Sequence, residues 1–590
     1  MIRRCEVELV LKAVRRSGVG EDVEKLLVPH HTGRPRELSA EVFFTGAILV
    51  ASRGLTLTLD NIHKALTQWI SISLQNELGV RIKTEAGEQS EPISIRQVRY
   101  LLSAIEKRLE FTPEKFPEML DAEREIRCDA LQSIIDKLLG ASLLQSMPKK
   151  ISLAWDSSGV ESWGKPKWPA TASSDEVDAD LDDVEEAMAT VQGVINSKNG
   201  KAGGSKKGKK KLARRPYSFD GDAHLGYRTK THDNRSSKLF GYDLFAGVGV
   251  LPVGANSDDM PKVLLSMTLR PAAGDTSEPT LALIDRLRDQ GYEVDELLVD
   301  RGFSFKRPED WSTKLHERGI SQVQDIHPFD HGVKDYEGVR IIDGLPYCAS
   351  MPDRLVHIAR PQHFKVGPPK KKATAEERLN HERNTKDLNR FEAAIAERQQ
   401  YAFVFNQNTP TKDDPFKTQW ICPGKAGKLQ CALCPFSEAY GEDRPVVENP
   451  GPMATAPKCC RQATIVIPGP ALAKLRQRDF WGSPQWIESF SRRSHIEGIF
   501  GNLRNHSTQN IKRGFCRVVG LVKTSLMLTF EAVAANIRIV RQWAKRTGMT
   551  SDPLCKPMPE NHGFEELDEN GQICLAEPLE FDDPPDDLAA

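Results

Sequence analysis

Apolar positions over residues 7–144 recur at helical spacing with few strand signals, as in Val42-Phe43-Phe44-Thr45-Gly46-Ala47-Ile48-Leu49-Val50 and again over 98–109. This pattern predicts an all-helical N-terminal domain over 1–148, whose expected DNA-binding role rests on a basic arm and not on the periodicity. Within it, Thr32-Gly33-Arg34-Pro35-Arg36-Glu37-Leu38-Ser39 offers a basic arm of the kind that enters a minor groove, and then Ser39 as a helix N-cap. The pattern changes at Lys150. Residues 151–156 alternate and end on an acid, 238–248 and 267–270 read as further strands, and 294–300 is a strand that again ends on an acid. Helical spacing over 279–290 lies between the last two. Strands followed by a helix and a further strand predict an α/β sheet. Residues 375–400 read as a charged helix, and 485–545 return to helical periodicity, with Val518, Leu521, Leu526, Leu528, Phe530, Val533, Ala534, Ile537 and Val540 on a core-packing helix. Asn536, Arg538, Arg541 and Lys545 near its end are candidates to reach a nucleic acid.

Charge changes this picture. The 590 residues, enough for roughly three to five structural units, carry 81 Lys and Arg against 82 Asp and Glu, a balance that by itself speaks against a nucleic-acid partner. The distribution reverses that. Residues 175–186 hold eight acids and no base, and 551–590 hold twelve acids against Lys556 alone; outside these two stretches 80 bases face 62 acids, an excess that suits a polyanion. Nine of the bases lie in the low-complexity run 198–215. The acidic block and the Lys-rich run read as a disordered linker over about 164–216, and 549–590 as an acidic disordered tail. No stretch reaches 18 uninterrupted apolar residues and charges interrupt the N-terminus where a signal peptide needs an apolar core, so the expected location is the cytoplasm, with no membrane partner.

Three acids carry the candidate chemistry. Phosphoryl transfer on DNA uses two divalent ions about 4 Å apart, held by carboxylates. Asp156 and Asp300 each end an apolar strand, so adjacent strands would bring them together, although an isolated Asp after a strand is more often a turn residue or N-cap. In Phe490-x2-Arg493-x3-Glu497-x6-Arg504 a helix places all four within about 60° of arc, with Ile496, Ile499, Phe500 and Leu503 on a neighbouring face that would seat it on a sheet. The bland alternative is an exposed Arg493–Glu497 pair at i, i+4, worth about 0.2–0.5 kcal/mol. Lys512 and Arg513, ahead of the last helix, are candidate phosphate contacts. Glu161, Asp220, Asp222, Asp295 and Glu296 read as bystanders.

Phe490-x2-Arg493-x3-Glu497-x6-Arg504 resembles the Tyr-x2-Arg-x3-Glu-x6-Lys signature of bacterial insertion-sequence DDE transposases, with Phe for Tyr and Arg for Lys. Asp300-Arg301-Gly302-Phe303 resembles the family's second-Asp motif, and Leu153-Ala154-Trp155-Asp156-Ser157-Ser158-Gly159 its first-Asp strand. The resemblance covers about 150–330 and 460–545. It implies an RNase H-like mixed sheet with flanking helices, split into 149–330 and 461–548 by an insertion over 331–460. It further implies that Asp156, Asp300 and Glu497 hold two Mg²⁺ ions, replaceable by Mn²⁺, and that Arg493 and Arg504 contact DNA phosphate near the scissile bond. The implied activity is cleavage at the ends of an insertion sequence and joining to target DNA. Its partners would be double-stranded DNA, as terminal inverted repeats and target, and a second copy of the chain on that DNA, in the bacterial cytoplasm at the nucleoid. Phe490 lacks the Tyr hydroxyl and its possible phosphate bond. The alternatives are a transposase-derived DNA-binding protein without cleavage activity and a metal-dependent DNA nuclease on the same fold.

Eleven cysteines are too sparse for a disulfide scaffold. Cys422-x8-Cys431-x2-Cys434 followed by Cys459-Cys460 supplies enough thiolates for a structural tetrahedral Zn²⁺ site of Cys422, Cys431, Cys434 and Cys459 or Cys460; five reduced thiols are the alternative. Cys422-Pro423-Gly424 and Cys434-Pro435 also resemble the cysteine-containing insert of some of these transposases. Cys5, Cys128, Cys348, Cys516, Cys555 and Cys574 read as incidental.

Overall fold

A computed structural model describes residues 2–28, 36–83, 90–113, 115–164, 220–227, 238–369, 372–434, 437, 443–447, 450–549 and 553–554. Residues 32–35 of the basic arm, the charged linker from 165 and the acidic tail from 555 lie outside these. Among the described residues no helix is long and apolar enough to cross a membrane.

The N-terminal chain forms α1 (Arg4–Ser17), α2 (Val19–Leu27), α3 (Ala40–Ser52), α4 (Leu59–Thr67), α5 (Ile72–Glu77), α6 (Ile95–Leu109) and α7 (Asp121–Ala141). One short antiparallel pair, β1 (Arg81–Lys83) with β2 (Ser90–Pro92), interrupts the helices. Ser39 caps α3 by accepting the Val42 N–H, as its position predicts.

Next come β3 (Lys150–Glu161), β4 (His224–Tyr227), β5 (Lys238–Val250), β6 (Leu264–Pro271), α8 (Ser277–Asp289), β7 (Glu293–Val299), α9 (Ser312–Glu317) and β8 (Ser321–Gln324). The strands make one mixed sheet in which β5, β3, β7 and β8 lie in that order and β4 and β6 both pair with β5. β5 is antiparallel to its neighbours, while β3–β7 and β7–β8 are parallel. The chain then leaves the sheet for β9 (Val333–Tyr336), β10 (Val339–Ile342) and β11 (Leu345–Tyr347), the long α10 (Ala375–Gln400), β12 (Val404–Asn408), β13 (Thr418–Ile421), α11 (Lys458–Arg461) and β14 (Thr464–Ile467), which build two small antiparallel sheets. It returns through α12 (Gly469–Leu472), α13 (Pro484–Ser491), α14 (Ser494–Arg504) and α15 (Leu521–Arg546).

Period-two alternation sorts the main sheet into two faces. Ala154, Ala246, Met267 and Leu298 share a core with the N-terminal helices, α14 and most of α15, whereas Leu153, Trp155, Phe245 and Leu297 share one with α8. Gly247 stands opposite Trp155, where a Cβ would come within 2.8 Å of the indole, so glycine lets the ring lie over β5. α15 starts at Leu521, so Val518 lies ahead of it; the Asp222 carboxylate accepts the Leu521 N–H at 2.8 Å and meets the positive end of the helix. The same carboxylate takes Thr112 Oγ1 at 2.9 Å and Lys115 Nζ at 3.0 Å, tying the N-terminal helices to α15. Asn536 is fully buried and does not face a nucleic acid. Its amide pairs with both the N–H and C=O of Leu264, each at 2.9 Å, and so satisfies the outer edge of β6.

Glu531, in the middle of α15, is 1% exposed, and among the described residues neither carboxylate oxygen has a hydrogen-bond partner. Burial raises its pKa well above the usual carboxylate value. An unfolded Glu ionises near about 4.3, so the contribution of neutral Glu531 is fully present below that pH and declines as pH rises toward the folded pKa. Glu531→Gln is therefore expected to raise the melting temperature at pH 8 by about 2 °C or more and to change it much less at pH 4, in thermal melts followed by circular dichroism.

Candidate active site

β3 and β7 run parallel with Ala154 opposite Leu298, and Asp156 and Asp300 each stand two residues further along. The period of two keeps both acids on the face that carries α14. This pairing depends on an irregularity: Ile151 faces Val294 but Ser152 faces Glu296, so Asp295 is an extra residue in β7. β3 does not end at Asp156. It continues to Glu161 because β5 pairs with it over that whole length, and Asp156 is a mid-strand residue opposite Ala246. Asp300 follows β7 directly, and its Oδ1 accepts the Gly302 N–H at 2.7 Å. A Cβ at Gly302 would sit 2.9 Å from that oxygen, which accounts for glycine there.

The signature segment is two helices, not one. α13 closes at Ser491 and α14 opens at Ser494, so Phe490 leaves the predicted common face and stacks on Trp486 with centroids 4.7 Å apart. Arg493 keeps helical dihedrals at the N-cap of α14, φ −58° and ψ −30°, and the i, i+4 spacing to Glu497 survives. Its guanidinium reaches both sides of the site, with Nη2 2.5 Å from Glu497 Oε1 and Nη1 3.8 Å from Asp156 Oδ2. Beneath it Ile496, Ile499, Phe500 and Leu503 are buried, as the neighbouring-face pattern predicts. The Glu497 side chain is 54% exposed, that of Asp156 22% and that of Arg493 17%.

Electrostatics join the three acids. Burial pushes the Asp156 carboxyl up, Asp300 adds to the push and Glu497 adds a smaller one, while the Ser157 N–H and Arg493 oppose them; the outcome is a pKa of about 6. Among the described residues no three His, Cys, Asp or Glu side chains already stand grouped to hold a metal ion. The donors nevertheless suit a hard divalent cation: all are carboxylate oxygens, and a partly protonated Asp156 between two like charges favours added positive charge.

The other predicted contacts fall differently. Arg504 Nη2 bonds Ser158 Oγ at 2.5 Å and the Gly159 carbonyl at 3.0 Å, pinning the end of α14 to β3. Lys512 and Arg513 are exposed between α14 and α15. Arg538 bonds Gln509 Oε1 at 3.0 Å. In the insertion, Cys422, Cys431 and Cys434 meet around Gly424, and Cys459 and Cys460 line one small cavity with Cys422, Cys431 and Cys348.

Glu296 is no bystander. It forms a buried ion pair with Arg492, which also donates to Ser152 Oγ at 3.0 Å and the Leu251 carbonyl at 2.9 Å, while Ser489 Oγ donates to Glu296 Oε1 at 3.2 Å. This fastens the α13–α14 junction to β3 and β7, the two strands that carry the aspartates. The sequence signal is an acid inside an otherwise apolar strand; its partner Arg492 lies 196 residues further along the chain. No family model, curated protein or solved structure matches this chain.

In ¹³C NMR titrations, Asp300→Asn is expected to lower the Asp156 midpoint relative to wild type, and Arg493→Ala to raise it; midpoints that coincide with wild type would separate these groups. Arg492→Met leaves Glu296 buried without its partner and is expected to cost about 3–5 kcal/mol in urea unfolding, part of which Glu296→Gln in the same chain recovers.

Proposed function

We propose that this chain is a DNA transposase of the DDE type, which cleaves phosphodiester bonds at the ends of an insertion sequence and joins those ends to target DNA. The observation that carries the reading is the placement of Asp156 and Asp300 at matched positions on parallel strands, facing a helix whose Glu497 lies in the same electrostatic field. The strand order β6-β5-β3-β7-β8, with β5 alone reversed, supports an RNase H-like core around them.

Two Mg²⁺ ions, replaceable by Mn²⁺ and held by Asp156, Asp300 and Glu497, would supply Lewis-acid activation of the attacking oxygen and charge stabilisation of the leaving oxygen. The protein's own part is positional. The β3–β7 register fixes the aspartates, and the Arg492–Glu296 pair and the Arg504 bonds hold α14 over them. Glu497, half-exposed, moves off Arg493 to join the aspartates, which leaves the Arg493 guanidinium for a phosphate oxygen. Lys512 and Arg513 extend the positive charge along the duplex. Reaction then proceeds by in-line displacement: water cleaves the bond at the element's end, and the freed 3′-hydroxyl attacks target DNA without a covalent protein–DNA intermediate. Such an assembly requires two element ends and two copies of the chain on the DNA.

The test is Mg²⁺-dependent excision from a plasmid carrying the gene's native flanking DNA. Wild type is expected to excise, and Asp300→Asn and Glu497→Ala to lose about 100-fold or more while still shifting the flanks in gels. Binding without excision by wild type would favour a DNA-binding protein derived from a transposase, and cleavage without joined product a nuclease.

A further inference from the structure

The side of the cleft next to Asp300 carries an aromatic row that the carboxylates do not use. β7 and β8 run parallel with Val299 opposite Gln324, so the turns that follow them, one starting at Asp300 and the other at Asp325, leave the sheet side by side. The first is the 3₁₀ turn Arg301–Phe305. Phe303 anchors it, buried against Trp311 with ring centroids 4.7 Å apart, and Ser304 Oγ donates to the Arg301 carbonyl at 2.9 Å. Phe305, its last residue, is 57% exposed. In the second turn the Asp330 N–H donates to the His327 carbonyl at 2.8 Å, and the Asp330 carboxylate pairs with Lys474 at 2.5 Å. The Phe329 N–H donates to His327 Nδ1 at 3.3 Å. The rings of Phe305, His327 and Phe329 then follow one another, with centroids 4.4 Å apart at the first step and 5.1 Å at the second. Phe329 ends the row 90% exposed, more than any other large apolar side chain among the described residues.

Charge beside the row is unbalanced. Asp325 accepts from Arg360 Nε at 2.8 Å and from Trp481 Nε1 at 3.1 Å, and Arg301 Nε lies 4.0 Å from the same carboxylate, so one acid faces two guanidinium groups. Aromatic rings flanked by guanidinium groups fit a nucleic-acid strand, with ring faces on bases and guanidinium groups on phosphates. Inside a duplex each base face is covered by its neighbours, so only an unpaired strand or an extruded base can use such rings. A protein partner calls for a continuous apolar patch, whereas Lys306, Arg307, Asp330 and His331 border these rings in the chain.

We infer that Phe305, His327 and Phe329 form a stacking platform for unpaired bases of the DNA strand that lies at the carboxylates, with Arg301 and Arg360 on its phosphates. The assignment rests on the reading of Asp156, Asp300 and Glu497 as a DNA-cleaving site. It adds a requirement to that reading: base pairs next to the cleaved bond are open while the bond sits at Asp300. Stacking on the rings then offsets part of the cost of unpairing, which is least where the pair is already mismatched.

The test measures, by fluorescence anisotropy on the full chain without divalent ion, the affinity for two labelled strands of about 12 nucleotides, one of thymidines and one of abasic sites. Both carry the same phosphate charge, so basic segments elsewhere in the chain bind them alike. Wild type is expected to favour the thymidine strand by about 5-fold or more, Phe329→Trp to keep that preference, and the double variant Phe305→Ala, Phe329→Ala to lose it. Should the double variant melt below wild type, Phe329→Ala alone, at the exposed end of the row, is measured in its place. Equal affinity of wild type for the two strands overturns the platform, as does a full preference in the Ala variants. In excision, Phe329→Ala is expected to lose activity and to regain part of it on a substrate whose terminal base pair is mismatched; no recovery overturns the link to the cleaved bond. Glu497→Ala is expected to keep the thymidine preference while losing excision, so the platform and the carboxylate site fail separately.

Discussion

The site rests on one register. Parallel pairing of β3 with β7 places Asp156 and Asp300 at equivalent positions only because Asp295 is an extra residue between the pairs Ile151–Val294 and Ser152–Glu296. Without it Asp156 would stand opposite Val299, and because side chains alternate between faces a one-residue slip would send one of the two acids to the wrong side of the sheet. The same bulge sets Glu296 beside Ser152, where Arg492 meets both. The placement of the two aspartates and the anchoring of the third acid therefore share one irregularity.

Three arginines of the signature segment then divide the electrostatic tasks. Arg492 turns inward and is neutralised by Glu296 in the core, which fixes where the helix begins. Arg493 stays at the cleft, between Asp156 and Glu497, and offsets part of their repulsion. Arg504 closes the far end of the helix on the β3 backbone. A helix clamped at both ends, with its apolar face buried between, keeps Glu497 near the aspartates while leaving its side chain free to change partners. The helix is fixed at its ends and presents one half-exposed carboxylate toward the two aspartates.

The surrounding layers serve the same frame. α15 runs through the core that the N-terminal helices share with the sheet, capped by Asp222 and bonded to the edge of β6 through Asn536. On the opposite flank, Phe364, Phe391, Trp481, Trp486 and Phe490 interlock, so that α10 of the insertion braces the helix leading into the acid. Phe490 belongs to this aromatic cluster, stacked on Trp486.

What the sequence by itself determined is local. Strand alternation, the helical face of Ile496, Ile499, Phe500 and Leu503, the Ser39 cap and the three acids are legible because each depends on periods of two or 3.6 and on neighbours a few residues away. Tertiary structure decided the rest. β3 runs past Asp156 because β5 supplies a partner, and the helical periodicity of the signature breaks because Arg492 pairs with a carboxylate 196 residues away. Glu296 looks incidental in the chain for the same reason: its meaning comes from Arg492, Ser152 and Ser489, brought to it by folding. Contacts across such separations leave no period in the sequence, so only the packed structure could assign them.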